Sequence, residues 1–162
     1  MRLMMPLIAG SALLVSCQTP NDIGGIGRPA DQSCDTAAAR AGVEQTIHAF
    51  FAALAKDDHA ALQQLTTTTF YAFDVGKKYD AEGLGEAIAK AHQSGRVINW
   101  NVGPVSSRVD CAMASAAWEN NGSAGRAEKI EPRSWLESAV LVRQGDRWLI
   151  DFLHSTPKDP RR

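Results

Sequence analysis

Four side chains that could transfer protons lie in segments of strand-like or turn-like composition: Asp74, Glu137, Asp151 and His154. A carboxylate or an imidazole in an apolar pocket can abstract and return a proton when that environment shifts its pKa. Each group also has a structural interpretation, because Asp is favoured in hairpin turns and a glutamate at a sheet edge is usually solvated. We treat Asp74 and His154 as candidate catalytic residues and Glu137 as a candidate pocket acid.

The last predicted strand limits how these groups can combine. Strict alternation puts four side chains on one of its faces: Trp148, Ile150, Phe152 and His154. Asp151 then points to the other face, so Asp151 and His154 cannot form a pair unless a bulge intervenes. His154, beside two large apolar residues, is either part of a pocket wall or a core histidine.

Four tryptophans are distributed one to each long predicted strand: Trp100, Trp118, Trp135 and Trp148. They favour either an aromatic-lined cavity for an apolar ligand or ordinary core packing. We place the first three in a predicted ligand pocket, together with Glu137 and Tyr71. The hydroxyl of Tyr71 could donate to a developing oxyanion.

Other kinds of chemistry are poorly supported. The four histidines lack the spacing of a zinc site, so we predict no metal and no cofactor. No Gly-x-Ser-x-Gly elbow is present for nucleophilic hydrolysis. The formal net charge of -1 gives no bulk electrostatic attraction to nucleic acid.

These side chains must be positioned by helices in the first half of the chain and strands in the second. Helical periodicity covers residues 36–56, a short helix follows from a cap at Asp57 or Asp58, and a third helix covers 81–94 and ends at Gly95. A hairpin is predicted at 74–79. Strands are predicted at 96–107, bent at Pro104, and at 111–120, 134–144 and 148–156, with turns at 120–123 and 144–146.

This order of elements predicts an α+β domain, in which a curved antiparallel sheet carries three N-terminal helices on its concave face. Three segments then resemble SnoaL-like domains of the nuclear transport factor 2-like superfamily: FFAALAKDDHAAL at 50–62, FDVGKKY at 73–79 and GDRWLIDFLHS at 145–155. The resemblance implies a cone whose open end is a pocket. It does not fix a reaction, since such domains include ketosteroid isomerases, polyketide cyclases, dehydratases and proteins that only bind or assemble.

The N-terminus predicts export and a lipid anchor. One cation at Arg2 precedes an apolar run too short to span a bilayer, as in a secretory signal. The run ends Leu-Val-Ser-Cys, which resembles a bacterial lipobox with Cys17 as the lipidated residue. We predict a signal peptide at 1–16, a lipidated cysteine and flexible tether at 17–36, the cone domain at 37–157 and a polar tail at 158–162. The predicted location is the cell envelope, on the periplasmic side of the outer membrane.

Two further cysteines, Cys34 and Cys111, have two interpretations. In an oxidising compartment an even pair favours a disulfide, which would join the segment before the first helix to a strand. The alternative is two free thiols, with Cys111 buried as a small apolar residue.

Three functions remain open. The first is an envelope lipoprotein whose domain binds a small apolar or amphipathic molecule without catalysis. The second is an isomerase, cyclase or dehydratase that uses Asp74 or His154 as a base. The third is an assembly role through the open sheet face, with a homodimer as the simplest partner.

Overall fold

The computed structural model describes residues 35–158. The predicted signal peptide, Cys17, the tether up to Cys34 and the end of the tail lie outside these residues. The lipid anchor and the disulfide therefore stay predictions.

Each of the three helices that the structure describes is capped by an aspartate at its N-terminus. The helices are α1 (Thr36–Ala55), α2 (His59–Leu65) and α3 (Ala81–Gln93). The side chains of Asp35, Asp58 and Asp80 accept hydrogen bonds from backbone N–H groups of the first turn, which satisfies donors that a helix start leaves without partners. Gly95, with φ of +82°, follows the end of α3 as predicted. Among the described residues, no helix is long and apolar enough to cross a membrane.

Within residues 35–158, seven strands form one sheet: β1 (Thr66–Asp74), β2 (Lys77–Tyr79), β3 (Arg96–Asn99), β4 (Ser106–Val109), β5 (Met113–Arg126), β6 (Lys129–Gln144) and β7 (Arg147–Pro157). Their order is β2-β1-β7-β6-β5-β3, and β4 also pairs with β5. The α+β prediction is confirmed. The sheet is nevertheless mixed rather than wholly antiparallel, because β7 pairs with β1 in parallel. These two strands are far apart in the chain, so no hairpin forces them to be antiparallel.

The predicted strand at 96–107 is split. β3 ends at Asn99 and β4 begins at Ser106, so that Pro104, which has no N–H to donate, lies between two strands. An isolated bridge between Val102 and Asn120 and a bond from the Gly103 N–H to the Glu119 carbonyl hold the connection against β5.

The turn predicted at 120–123 is wrong. β5 continues through residues 120–123 to Arg126. The hairpin turn to β6 lies between Arg126 and Lys129, which pair with each other. The glycine of that segment serves close packing instead: a Cβ on Gly122 would lie 1.9 Å from the carbonyl oxygen of Asn99 on β3. The signal we attributed to a turn is a place where two backbones approach closely.

The helices cover one face of this curled sheet. Apolar side chains of α1, including Val43, Ile47 and Phe50, are buried with Leu141 of β6 and Ile150 of β7 in one hydrophobic core. The helix spacing that predicted α1 is thus the spacing of its buried face. The end of the sheet near α3, β3 and the β1–β2 hairpin is incompletely filled.

Candidate functional site

A cavity of about 230 Å³ opens between α3, the end of β1, the start of β3 and the middle of β6. Its walls are mainly apolar, with Leu84 and Ile88 from α3 facing Trp100 and Trp135. The polar side chains that line it are Asp74, Tyr79, Arg96, Glu137 and Ser155. An apolar cavity with a few convergent polar groups is the usual form of a small-molecule site.

Glu137 is the most buried of these polar groups, with 5% of its surface exposed. Three side chains from the two neighbouring strands donate to its carboxylate: Trp118 Nε1 to Oε2 at 2.6 Å, Asn120 Nδ2 to Oε2 at 3.1 Å and Ser155 Oγ to Oε1 at 3.1 Å. The indole and the amide both converge on Oε2. Oε1 therefore keeps more capacity for a further partner.

The amide of Asn120 is fixed in one orientation. Asn120 is fully buried, and its Oδ1 accepts the backbone N–H of Asn101 at 2.7 Å. Its Nδ2 must therefore face Glu137 as a donor, and the indole of Trp118 can only donate. Because both partners of Oε2 are donors, a proton on Glu137 belongs on Oε1.

Burial, with a smaller contribution from the charge of Asp74, raises the pKa of Glu137 from 4.5 to about 7. The bonds from Asn120, Ser155 and Trp118 act in the opposite direction but do not compensate. Desolvation therefore outweighs three hydrogen bonds. Near neutral pH this carboxyl exists in both protonation states, as a general acid or base requires.

Asp74 is the second carboxyl of the cavity. It ends β1 and precedes a two-residue turn in which Val75 and Gly76 both have positive φ, 44° and 76°. That geometry is the hairpin turn predicted from the sequence. Burial raises the pKa of Asp74, while a hydrogen bond with the Val75 backbone and the charge of His154 lower it. Two carboxyls with raised pKa values thus line one small cavity.

A bulge in β7 decides which of its residues reach the cavity. Leu141 of β6 pairs with Ile150 and Val140 pairs with Phe152, so Asp151 has no partner in the ladder. The extra residue reverses the alternation. Leu153 and Ser155 consequently line the cavity.

Solved structures with similar folds identify the architecture of this chain. A Mycobacterium tuberculosis protein of unknown function has a TM-score of 0.69 at 14% identity, with 85% of this chain and 80% of that chain covered. An NTF2-like protein with a cystatin-like fold from Novosphingobium aromaticivorans has a TM-score of 0.66 at 15% identity, covering 81% and 93%. This chain has the nuclear transport factor 2-like fold.

The description of one further similar structure names an enzymatic activity. It is a candidate dehydratase of the NTF2-like family from Streptomyces avermitilis, with a TM-score of 0.64 at 17% identity, covering 77% of this chain and 98% of that chain. No protein-family model matches the sequence, and no curated protein matches it. At these identities the likeness concerns the fold and leaves the chemistry of the site open.

Two predicted site residues lie on the outer face of the NTF2-like sheet rather than in its cavity. The alternation that points Asp74 inward turns Tyr71 outward, where its ring lies 5.0 Å from that of Phe152. His154, for which the sequence left a pocket wall and the core open, is exposed and lies across from Phe73, because the bulge moves it to this face. Tyr71 and His154 are therefore removed from the candidate site.

The tryptophans divide into three groups. Trp100, which lies just beyond β3, and Trp135 line the cavity of the NTF2-like cone. Trp118 is buried behind it and acts through its bond to Glu137. Trp148 packs elsewhere, where its ring occupies the space that a Cβ on Gly42 would need.

Asp151 also lies away from the cavity, because its Oδ1 accepts hydrogen bonds from Thr67 at 2.6 Å and Thr69 at 3.0 Å. These bonds satisfy the carboxylate at the bulge and tie β7 to β1. Within residues 35–158, no group of three or more His, Cys, Asp or Glu residues could hold a metal ion.

The sequence reasoning missed Asn120, Ser155 and Arg96. Asn120 ends one predicted strand and begins a predicted turn, although Ala114, Ala116 and Trp118 set an alternation that continues to it. That alternation could have identified Asn120 as inward-facing. Ser155 can be placed in the cavity only when the bulge in β7 is known. Nothing in the sequence distinguishes Arg96 from a solvated arginine.

Proposed function

We propose that the cavity binds a small, mostly apolar molecule that places one polar group against Glu137. The observation that carries this proposal is a carboxyl held by three donors, buried at the wall of an apolar cavity. Burying an ionisable group in an apolar site is unfavourable. The network is best explained by a ligand that uses it.

The cavity volume limits the size of that molecule. About 230 Å³ is below the roughly 300–1,000 Å³ usual for drug-sized ligands. At about 30 Å³ per water, it equals the volume of roughly eight water molecules. A one- or two-ring compound or a short acyl chain fits this size, and part of a longer molecule could extend through the opening.

The test uses 2-naphthol, which has a rigid apolar body and one hydroxyl group, with naphthalene as the analogue that lacks the hydroxyl. Because Trp100 and Trp135 line the cavity, binding should change tryptophan fluorescence. Ala87→Phe on α3 should fill the cavity and abolish binding. Glu86→Phe, on the exposed side of the same helix, is the matched control and should leave binding unchanged.

Glu137→Gln provides the test of the polar contact. It should weaken 2-naphthol by about tenfold, the loss of one hydrogen bond to a charged group, and should leave naphthalene nearly unaffected. Equal binding by the Ala87→Phe and Glu86→Phe variants would place the ligand elsewhere. Failure of both compounds to bind the wild-type chain would contradict the proposal.

A second candidate function is general acid–base catalysis on a molecule in the same cavity. The observation that favours it is the pair of carboxyls, Asp74 and Glu137, whose pKa values are both raised. One could remove a proton and the other return it, as isomerases, cyclases and dehydratases require. His154 is no longer a candidate base.

Proton exchange tests the second candidate directly. We expect the protein to accelerate the exchange of the α-hydrogens of 2-tetralone with D₂O. NMR measures the rate of this exchange. Asp74→Asn and Glu137→Gln should each lower that rate by about 10²-fold or more, and His154→Gln should not. An exchange rate equal to the rate in buffer alone would contradict catalysis and leave ligand binding as the proposed function.

The lipid anchor and an assembly role also stay proposals. Incorporation of labelled palmitate, lost in Cys17→Ser, tests the envelope anchor.

For assembly, the outer sheet face exposes Ile130 and Leu136 of β6, which are 45% and 49% exposed, and apolar patches of this kind can form interfaces. Light scattering should then show a dimer that Leu136→Lys dissociates, whereas a wild-type monomer would end this candidate.

A further inference from the structure

Arg96 is the only cationic side chain among the described residues that line the cavity. It is the first residue of β3, and its side chain is exposed to solvent while also facing the cavity. A side chain with both properties lies at the opening. The cavity therefore has apolar walls, two carboxyls and one guanidinium at its rim.

Within residues 35–158, this guanidinium has no acidic partner, because no carboxylate oxygen lies within 4.0 Å of it. Its cross-strand neighbour on β5 is another cation, Arg126, which donates instead to the Ser94 carbonyl at 2.6 Å. Arg126 is thus engaged with the backbone and is not among the described lining residues, so Arg96 supplies the positive charge at the rim.

We propose that Arg96 pairs with an oxyanion at one end of the ligand, so that the ligand is a small amphipathic acid, a carboxylate or a phosphate monoester. This inference rests on the proposed function and deepens it. The planar guanidinium presents a fork of donors that matches two oxygens of a carboxylate or phosphate. The apolar part of the molecule then lies between α3 and the tryptophans.

The two carboxyls limit where an oxyanion can lie, because either of them repels it when ionised. The opening, where Arg96 is exposed, is the part of the cavity that offers an opposite charge. We therefore place the oxyanion beside Arg96 and the other end of the ligand at Glu137. A molecule with an acid at one end and a hydroxyl or carbonyl at the other would satisfy both ends.

The test compares three hexyl compounds on the whole chain: hexanoate, hexanamide and hexyl phosphate, with 2-naphthol as the neutral reference. Tryptophan fluorescence gives the affinities. We expect the wild type to bind hexanoate or hexyl phosphate about tenfold more tightly than hexanamide, as for a charge-assisted bond. The better of the two anions identifies the oxyanion.

Variants then locate the contact. Arg96→Gln should remove the preference for the anion while 2-naphthol still binds, and Arg96→Lys should retain part of it. Arg126→Gln, a change of the same kind on the adjacent strand outside the cavity, should leave the preference unchanged.

Three results would overturn the inference while leaving the proposed function intact. The first is equal binding of hexanamide and the anions by the wild type, and the second is an anion preference that survives Arg96→Gln. The third is binding of 2-naphthol without binding of any hexyl compound. If 2-naphthol fails as well, the proposed function fails with it.

Discussion

Glu137→Gln should change how the stability of the protein depends on pH. Burial raises the pKa of this carboxyl from 4.5 to about 7 in the folded state, so between these values the folded chain binds a proton that the unfolded chain has lost. Unfolding then becomes easier as pH rises, at about 1.4 kcal/mol per pH unit. Over about 2.5 pH units the wild type should lose roughly 3 kcal/mol.

Glutamine does not titrate, so the variant lacks this term. Below pH 4.5 the wild type should hold its full advantage from the neutral carboxyl, and the variant should gain relative to it until about pH 7.5. Urea unfolding followed by circular dichroism from pH 4 to 8 gives both free energies. Glu86→Gln, on the exposed side of α3, controls for the loss of any acid.

The sign of the effect carries the test. A difference between variant and wild type that does not change with pH would show that the three donors offset the desolvation. A wild type that gains stability with rising pH relative to Glu137→Gln would mean that the donors win and that the pKa of Glu137 is lowered. Either result would also remove the support for Glu137 as a general acid near neutral pH.

The remaining predictions concern the donor to Glu137 and the close backbone contact beside it. Trp118→Phe removes the N–H that donates to Glu137 at 2.6 Å; it should raise the pKa of Glu137 and cost about 1–3 kcal/mol, more above pH 7 than at pH 4.5, in the same urea series. Gly122→Ala puts a Cβ 1.9 Å from the Asn99 carbonyl oxygen, so β3 and β5 must separate, and thermal unfolding should show a loss of about 3 kcal/mol or more. Gly145→Asn is the matched control, since Gly145 has open space and a φ of 62° that Asn tolerates; an equal loss in both variants would contradict the steric explanation.

The helices and the first hairpin were predictable because their signals are local. Apolar spacing defined the buried face of α1, an aspartate marked the start of α2, and Gly76 allowed the turn after Asp74. The fold class followed from their order. The parallel pairing of β1 with β7 was not predictable in this way, because it depends on contacts between residues distant in the chain.

The site was predicted only in part, and the bulge at Asp151 is the main reason. With strict alternation His154 shares a face with Trp148, and with one extra residue it moves to the other face and Ser155 takes its place. A bulge has no clear sequence signal here. The carboxylate of Asp151 at the bulge accepts hydrogen bonds from the hydroxyls of Thr67 and Thr69, which lie on a different strand.

The orientation of the donors around Glu137 bears on which ligand groups it can serve. Asn120 and Trp118 both donate to Oε2, so this oxygen accepts in either protonation state. Oε1, bonded to Ser155, carries the proton when there is one. The neutral acid can thus donate to a carbonyl, and the carboxylate can accept from a hydroxyl. Ionisation of this buried group lowers the stability of the folded chain by about 3 kcal/mol near neutral pH, and this cost is the physical reason for our proposal that the network binds a ligand.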